Sequence, residues 1–408
     1  MGKICSFQKV NLEVKQYRKK MGTARFLHAA DLHLGSALKS LGNALSESDF
    51  DRFKLLANKS FDRLVQTAID EQVDFMVLAG DIYDDADRDP GAQRRFLLGL
   101  RRLTEIGIRV FMVHGNHDPF TKEIKNGLLP EGVTVFPAGK LSAEPFTMSN
   151  GAEVVVAGVS YSKRDEDRNF THLFAELTGK TIIGVLHTNV GGNAQHGNYA
   201  PCSIRDLEQS PVNYWALGHI HLRTVKQTPQ GWWAYPGNLQ GRSAKASECG
   251  PKGALIIDVD ETGWIAEPRF VECSEFTFER VEIDLGDVAE VAGVEDKVRT
   301  HLRTLVSEPG GIPHLVRLRL TGQTEISALL NPDDWDRSQT IKEANRALAG
   351  GAIVKLEISC NPRIDLVQQR TRGTLLGTVL NELDKEDLTV EIRDAATSLL
   401  VNALGTEQ

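Results

Sequence analysis

The sequence has 408 residues, enough for about two to three domains and a sizeable buried core. Its 41% hydrophobic and 25% charged content is that of a soluble globular protein, and no apolar run approaches the roughly 18 residues a spanning helix needs, so fibrous, disordered and membrane classes are disfavoured. Lys and Arg number 47 against 55 Asp and Glu, a net charge of -8, which disfavours polyanion binding by bulk charge and leaves it to local patches or metals.

Residues 1–20 carry six basic residues and one acidic residue without the apolar segment of a secretory signal, and residues 1–23 read as a disordered basic leader with Met21 as an alternative start. From Ala24 short β-type runs alternate with helices: ARFLHAA, a helix around Asp49–Glu71, VDFMVLAG, a helix around Gly91–Ile106, then IRVFMVHG. Next come EVVVAGVS, a helix near Arg168–Leu177, TIIGVLHT, YWALGHI, GWWAYPG and GALIIDVD. This order predicts two sheets face to face with helices outside, over residues 24–274. FERVEIDL, a helix near Val294–Val306, LVRLRLTG, a helix near Thr340–Ala349 and AIVKLEIS follow, a β-α-β-α-β order predicting a small α+β domain over 275–362. Amphipathic helices near Arg372–Asp384 and Thr389–Ala403 form a tail over 363–408. Residues 281–408 hold 14 basic and 21 acidic side chains, net -7, so the acidity lies in this C-terminal third. The five cysteines are odd in number and at least 24 residues apart, which opposes a disulfide framework and fits a reducing, cytoplasmic compartment.

Nine of the eleven histidines lie between residues 28 and 221, and five of them stand in polar motifs directly after apolar strands. Asp31-Leu32-His33 follows FLHAA, Gly80-Asp81 follows FMVLA, Gly115-Asn116-His117-Asp118 follows VFMVH, His187 follows IIGVL, and Gly218-His219-Ile220-His221 follows YWAL. Strand C-termini in an α/β fold share one sheet edge, so the five motifs can meet in one cleft. In Asp31-x-His33 and His219-x-His221 the spacing of two places both side chains on one face if the strand continues, suited to grip one metal or flank two. Carboxylates mixed with imidazoles, without thiolates, favour Mn²⁺, Fe or Zn²⁺ at a reactive site. A lone Asp81 or Asn116 is equally suited to capping a helix. His28, His172, His301 and His314 read as packing or surface residues; His114 and His196 are candidate substrate contacts.

DLH, GDIYD, GNHD, LHTN and GHIH, in that order, resemble the calcineurin-like metallophosphoesterases over about residues 25–270. HAADLHLGS, LHTNVGGNAQHGNYAP and YPGNLQGR are most similar to the YhaO-like branch of the SbcD-type DNA repair exonucleases. The resemblance implies a four-layer α-β-β-α sandwich with a smaller capping domain, and a site of two divalent ions, Mn²⁺ in this branch. Matched position by position, Asp31, His33 and His221 would hold one ion, Asn116, His187 and His219 the other, and Asp81 would bridge them. His117 would protonate or stabilise the leaving oxygen, oriented by Asp84. Some nuclease relatives carry histidine at position 84 and phosphatase relatives aspartate, so this departure bears on the leaving-group step. Arg223 and Arg242 are candidate phosphate contacts or solvated surface residues.

The resemblance further implies DNA as substrate, an SMC-like ATPase partner docked on the C-terminal domain or tail, and a homodimer through the helix around Asp49–Glu71. The expected function is metal-dependent DNA hydrolysis in repair or recombination. The alternative is a phosphodiesterase or phosphatase for a small molecule or phosphoprotein, since one metal chemistry serves many esters.

Overall fold

A computed structural model describes residues 22–84, 89–119, 129–192, 199–306, 311–330, 335, 337–383, 390 and 394–399. Residues 1–21 of the expected leader, and most of the second tail helix, lie outside the described residues. Two compact units divide the chain, one up to Phe278 and one from Glu279.

The first unit runs β1 (Thr23–Ala29), α1 (Glu47–Asp70), β2 (Phe75–Ala79), α2 (Pro90–Thr104), β3 (Arg109–Val113) and β4 (Val133–Val135). It continues with β5 (Ser142–Thr147), β6 (Glu153–Val159), β7 (Ile182–His187), α3 (Ile204–Glu208), β8 (Tyr214–Gly218), β9 (Thr224–Thr228), β10 (Gly231–Tyr235), β11 (Gly253–Asp260) and β12 (Arg269–Glu272). One six-stranded sheet has the order β12-β11-β1-β2-β3-β4 and the other β5-β6-β7-β8-β10-β9. β1, β2 and β3 are mutually parallel, as are β6, β7 and β8.

The central strands read as unbroken apolar runs because both of their faces are covered. Phe75, Val77 and Ala79 of β2 point between the sheets, where they join Phe26, Phe111, Val156, Ile183 and Tyr214. Met76 and Leu78, one residue out of phase, turn outward to Phe61, Leu64 and Val65 of α1 and Phe96, Leu100 and Leu103 of α2. Ser46 caps α1 by accepting the Asp49 N–H, and Pro90 occupies the first turn of α2, where its missing N–H costs nothing.

The outer layer on the second sheet is thinner than expected. In place of a helix over Arg168–Leu177 there is one 3₁₀ turn, Thr171–Phe174. The Asn169 side chain takes both the Thr171 N–H, at 3.0 Å, and the Thr171 hydroxyl, so a local side-chain bond replaces the helical one. Phe170, Phe174 and Leu207 still cover Trp215 and Leu217.

The second unit is built on β13 (Thr277–Asp284), α4 (Val291–Arg303), β14 (His314–Thr324), α5 (Arg337–Ala347) and β15 (Ala352–Pro362), with sheet order β13-β14-β15. Val294, Val298 and Leu302 of α4 pack on Val281, Ile283, Val316, Leu318 and Leu320. After the sheet come α6 (Leu366–Thr371) and α7 (Leu375–Leu383), separated by Arg372-Gly373-Thr374. The expected single helix from Arg372 therefore starts later, beyond a glycine that favours leaving the helix.

Candidate metal centre

The segments that follow β1, β2, β3, β7 and β8 meet at one edge of the first unit. Asp31 N, His33 N and Leu34 N donate to Gly80 O, Asp81 O and Ile82 O at 3.1, 3.0 and 2.9 Å, which extends the β1–β2 ladder past the strand ends. The sheets are tied across this edge. His219 N donates to the Asp31 carboxylate at 3.0 Å, and His187 Nδ1 to Ala79 O at 2.9 Å. Asp118 accepts from Ile82 N at 2.8 Å and Gly115 N at 3.0 Å, fixing the loop that carries Asn116 and His117.

This edge is strained. Asp31 (φ 50°), His33 (φ 43°), Asp81 (φ 52°) and His219 (φ 102°) all have left-handed backbone. Such a conformation costs about 1–3 kcal/mol per residue, least for Asp, and persists where surrounding structure enforces it. Two glycines make room: a Cβ on Gly218 would stand 1.9 Å from Ala79 O, and one on Gly115 2.3 Å from Asp81 Oδ1.

The imidazoles have one nitrogen committed and the other turned inward. His33 Nδ1 lies 2.6 Å from Asp84 Oδ1, and His221 Nδ1 2.7 Å from Glu248 Oε1. A carboxylate only accepts, so each Nδ1 carries the proton and each Nε2 presents a lone pair. Those two Nε2 atoms face each other at 3.1 Å, a repulsive approach that a cation between them relieves. His187 Nε2 lies 2.9 Å from Asn116 Oδ1 and 3.4 Å from Asp81 Oδ2, while His33 Nε2 is 4.0 Å from the same Asp81 oxygen. Asp81 thus stands between the two histidine sets. Asp31, His33 and His221 offer ligand atoms within 4.8 Å of one another, as do Asp31, Asp81 and His187. The donor set, imidazole nitrogen with carboxylate oxygen, fits divalent cations.

Burial and charge shape the titration of these groups. Burial pushes Asp31 up and His33 down, since both lose the water that favours the charged form. Burial also opposes the charge on Asp81, but His187, His33 and His117 outweigh it and hold the carboxyl below its ordinary range. At Asp84 the bonds to His117 and His33, with the Arg242 guanidinium, do the same. His117 rises above its ordinary value, chiefly through its bond to Asp84. Its Nδ1 lies 3.1 Å from Asp84 Oδ1, and 30% of its side chain remains exposed.

The structure therefore brings Asp31, His33, Asp81, Asp84, Asn116, His117, His187 and His221 together. His219 is adjacent, its ring 5.2 Å from that of His187. Arg242 does not extend into open space: its guanidinium bonds both oxygens of Asp84, at 3.1 and 2.8 Å. Arg223 is exposed and lies 3.9 Å above the Phe270 ring. His196 lies outside the described residues. His114 is buried, with Nδ1 3.5 Å from Asp118. Sequence reading missed Glu248 and Lys252, both buried. No periodicity marks the KASECGPKG loop that carries them, and its sole signal is a lysine and a glutamate following YPGNLQGR.

Residues 24–223 match the calcineurin-like phosphoesterase family, and residues 278–361 match the middle domain of metallophosphoesterase YhaO. The chain belongs to the calcineurin-like metallophosphoesterases, a family of phosphoester hydrolases that use divalent metals. It is 33% identical over 298 residues, 73% of this chain and 71% of the relative, to YhaO of Bacillus subtilis strain 168, a metallophosphoesterase that is itself uncharacterised. It is 27% identical over 354 residues, 82% of this chain and 80% of the relative, to the DNA double-strand break repair protein Mre11 of Aeropyrum pernix. The Mre11 protein of Haloferax volcanii is 25% identical over 401 residues, 92% of this chain and 82% of the relative. No helix among the described residues is long and apolar enough to cross a membrane.

Proposed function

We propose that this chain is a metal-dependent nuclease that hydrolyses DNA phosphodiester bonds in repair or recombination. The observation that carries the reading is the convergence of the His33, His221 and His187 Nε2 atoms on the Asp31 and Asp81 carboxylates. Asp31, His33 and His221 would hold one ion and Asn116, His187 and His219 the other, with Asp81 between the two sets. Mn²⁺ suits this mixed oxygen and nitrogen set. A divalent pair would supply charge neutralisation at the phosphoryl group while the oxygen of water replaces the leaving oxygen on phosphorus.

His117 is the proton donor in this reading. Its Nδ1 is fixed on Asp84, a bond that favours the protonated ring, and this orients Nε2 to give a proton to the leaving oxygen. DNA as substrate is supported by the likeness to the Mre11 proteins. With it go a cytoplasmic location, an SMC-like ATPase partner and a homodimer through α1, for which light scattering is the test; a strict monomer at micromolar concentration contradicts the dimer.

One feature favours a second reading, a phosphodiesterase or phosphatase for a smaller ester. Position 84 is an aspartate bound by Arg242, so His117 has no imidazole neighbour there to share the proton work. The test is degradation of end-labelled linear and closed circular DNA with Mn²⁺, beside a generic phosphodiester and an Asp81→Asn control. Loss of linear DNA that vanishes in the control supports the nuclease. Hydrolysis of the generic ester alone transfers support to the second reading.

A further inference from the structure

The carboxylate that meets His221 comes from a loop that none of the strand-end motifs includes. Glu248 is 6% exposed and sits at the end of a three-residue 3₁₀ turn, Ala246–Glu248. Its Oε1 accepts the His221 Nδ1 proton at 2.7 Å, and its Oε2 accepts Asn238 Nδ2 at 2.7 Å and the Arg242 backbone N–H at 2.9 Å. Three donors thus surround one carboxylate. A buried ionised carboxylate is costly unless fully paired, and here Oε2 is held by Asn238 and the Arg242 backbone while Oε1 is left to the His221 imidazole.

The backbones are registered to keep that bond. Lys252, 5% exposed, donates Nζ to His221 O at 2.8 Å and to Ser247 O at 2.5 Å. One ammonium therefore clasps the main chain of the histidine and of the residue before its carboxylate partner. Gly241 lets the returning chain close on this turn, because a Cβ there would stand 2.4 Å from Glu248 O. The same loop also reaches the partner of His33, since the Arg242 guanidinium lies on Asp84.

We propose that Glu248 is a positioning residue for metal binding: it fixes the His221 tautomer and ring plane and raises the basicity of its Nε2. This rests on the reading that His221 holds a divalent ion. The role is confined to one side of the centre, because His187 is oriented by the Ala79 carbonyl instead. An acceptor of this kind, lost from behind a ligating histidine, weakens metal affinity about 10- to 100-fold.

The test is calorimetric titration of the full apo chain with Mn²⁺, with thermal melting of each metal-free variant. Wild type is expected to bind two ions, and Glu248→Gln to bind one unchanged and the other about 10-fold or more weaker. If Glu248→Gln fails to fold, Glu248→Asp decides; it keeps the charge but withdraws it from Nδ1, and an affinity loss at one ion is again expected. Asn238→Ala removes an Oε2 partner and leaves the His221 bond, so it lowers the melting temperature without weakening Mn²⁺. Wild-type affinity in the Glu248 variants, or an equal loss in Asn238→Ala, overturns the inference. A wild-type chain that binds no Mn²⁺ overturns the metal centre itself, and the inference falls with it.

Discussion

The two units bury different things. In the second unit the buried polar side chains among the described residues are Thr324 and Thr340, and its core is Val, Leu and Ile with Trp335. In the first unit Asp31, His33, Asp81, Asp84, His187, Glu248 and Lys252 are all buried, most of them at the strand-end edge. Burying ionisable groups opposes folding unless each is paired, and left-handed backbone at Asp31, His33, Asp81 and His219 adds to the cost. One unit is organised for packing, and the other holds at one edge an arrangement that packing alone would discard. Perturbed titratable groups concentrated in this way mark a functional site.

Substitutions in the two units are therefore expected to separate activity from stability. The largest effect is expected from Asp81→Asn, which removes the carboxylate between the histidine sets. Hydrolysis should fall on the order of 10³-fold, equivalent to several kcal/mol of lost transition-state stabilisation, while the chain stays folded by circular dichroism. Activity within tenfold of wild type would break the comparison.

Leu302→Ala probes the other unit. Leu302 is fully buried under the three-stranded sheet, and a cavity there should cost about 2–5 kcal/mol in denaturant unfolding. Mn²⁺ affinity should not change; a parallel loss would show that the two functions are not separated.

His117→Ala comes next, with an expected loss of about 10²-fold in kcat from the missing proton donor and normal metal content by elemental analysis. Full activity with normal metal would remove His117 from the mechanism.

The smallest effect concerns His28, buried within β1. Burial holds its pKa down to about 3 against an ordinary 6.5, with Nδ1 3.0 Å from the Tyr214 hydroxyl. The unfolded chain takes up this proton below pH 6.5 and the folded chain does not, so the contribution is intact above pH 6.5 and falls as pH drops towards 3. At pH 5 the loss is about 2 kcal/mol, 1.5 pH units at 1.36 kcal/mol each. His28→Gln should show correspondingly less acid destabilisation between pH 7.5 and 5 in urea titrations; an identical slope would contradict the assignment.

Much of this was legible in the sequence, for a physical reason. A five-residue apolar run such as FMVLA is short enough to favour a strand covered on both faces over a helix, and the polar residues directly after a central strand lie at the sheet edge. That logic assigns Asp31, His33, Asp81, Asn116, His117, His187, His219 and His221 to one sheet edge, where the structure also brings them. Glu248 and the bond between Arg242 and Asp84 were not legible. They depend on loops meeting across 27 and 158 residues, and no local pattern encodes a meeting of two loops. Edge strands such as β5 and β9 were missed because their partly exposed faces mix polar with apolar residues. Arg168–Leu177 has helical composition, but Asn169 captures the backbone first.

The most direct measurement is anomalous diffraction from crystals of the chain grown with Mn²⁺. Two peaks roughly 3.5–4 Å apart are expected, one beside His33 and His221, the other beside Asn116 and His187, with Asp81 touching both. A single peak elsewhere, or none at the strand-end edge with Mn²⁺ in excess, would contradict the metal centre.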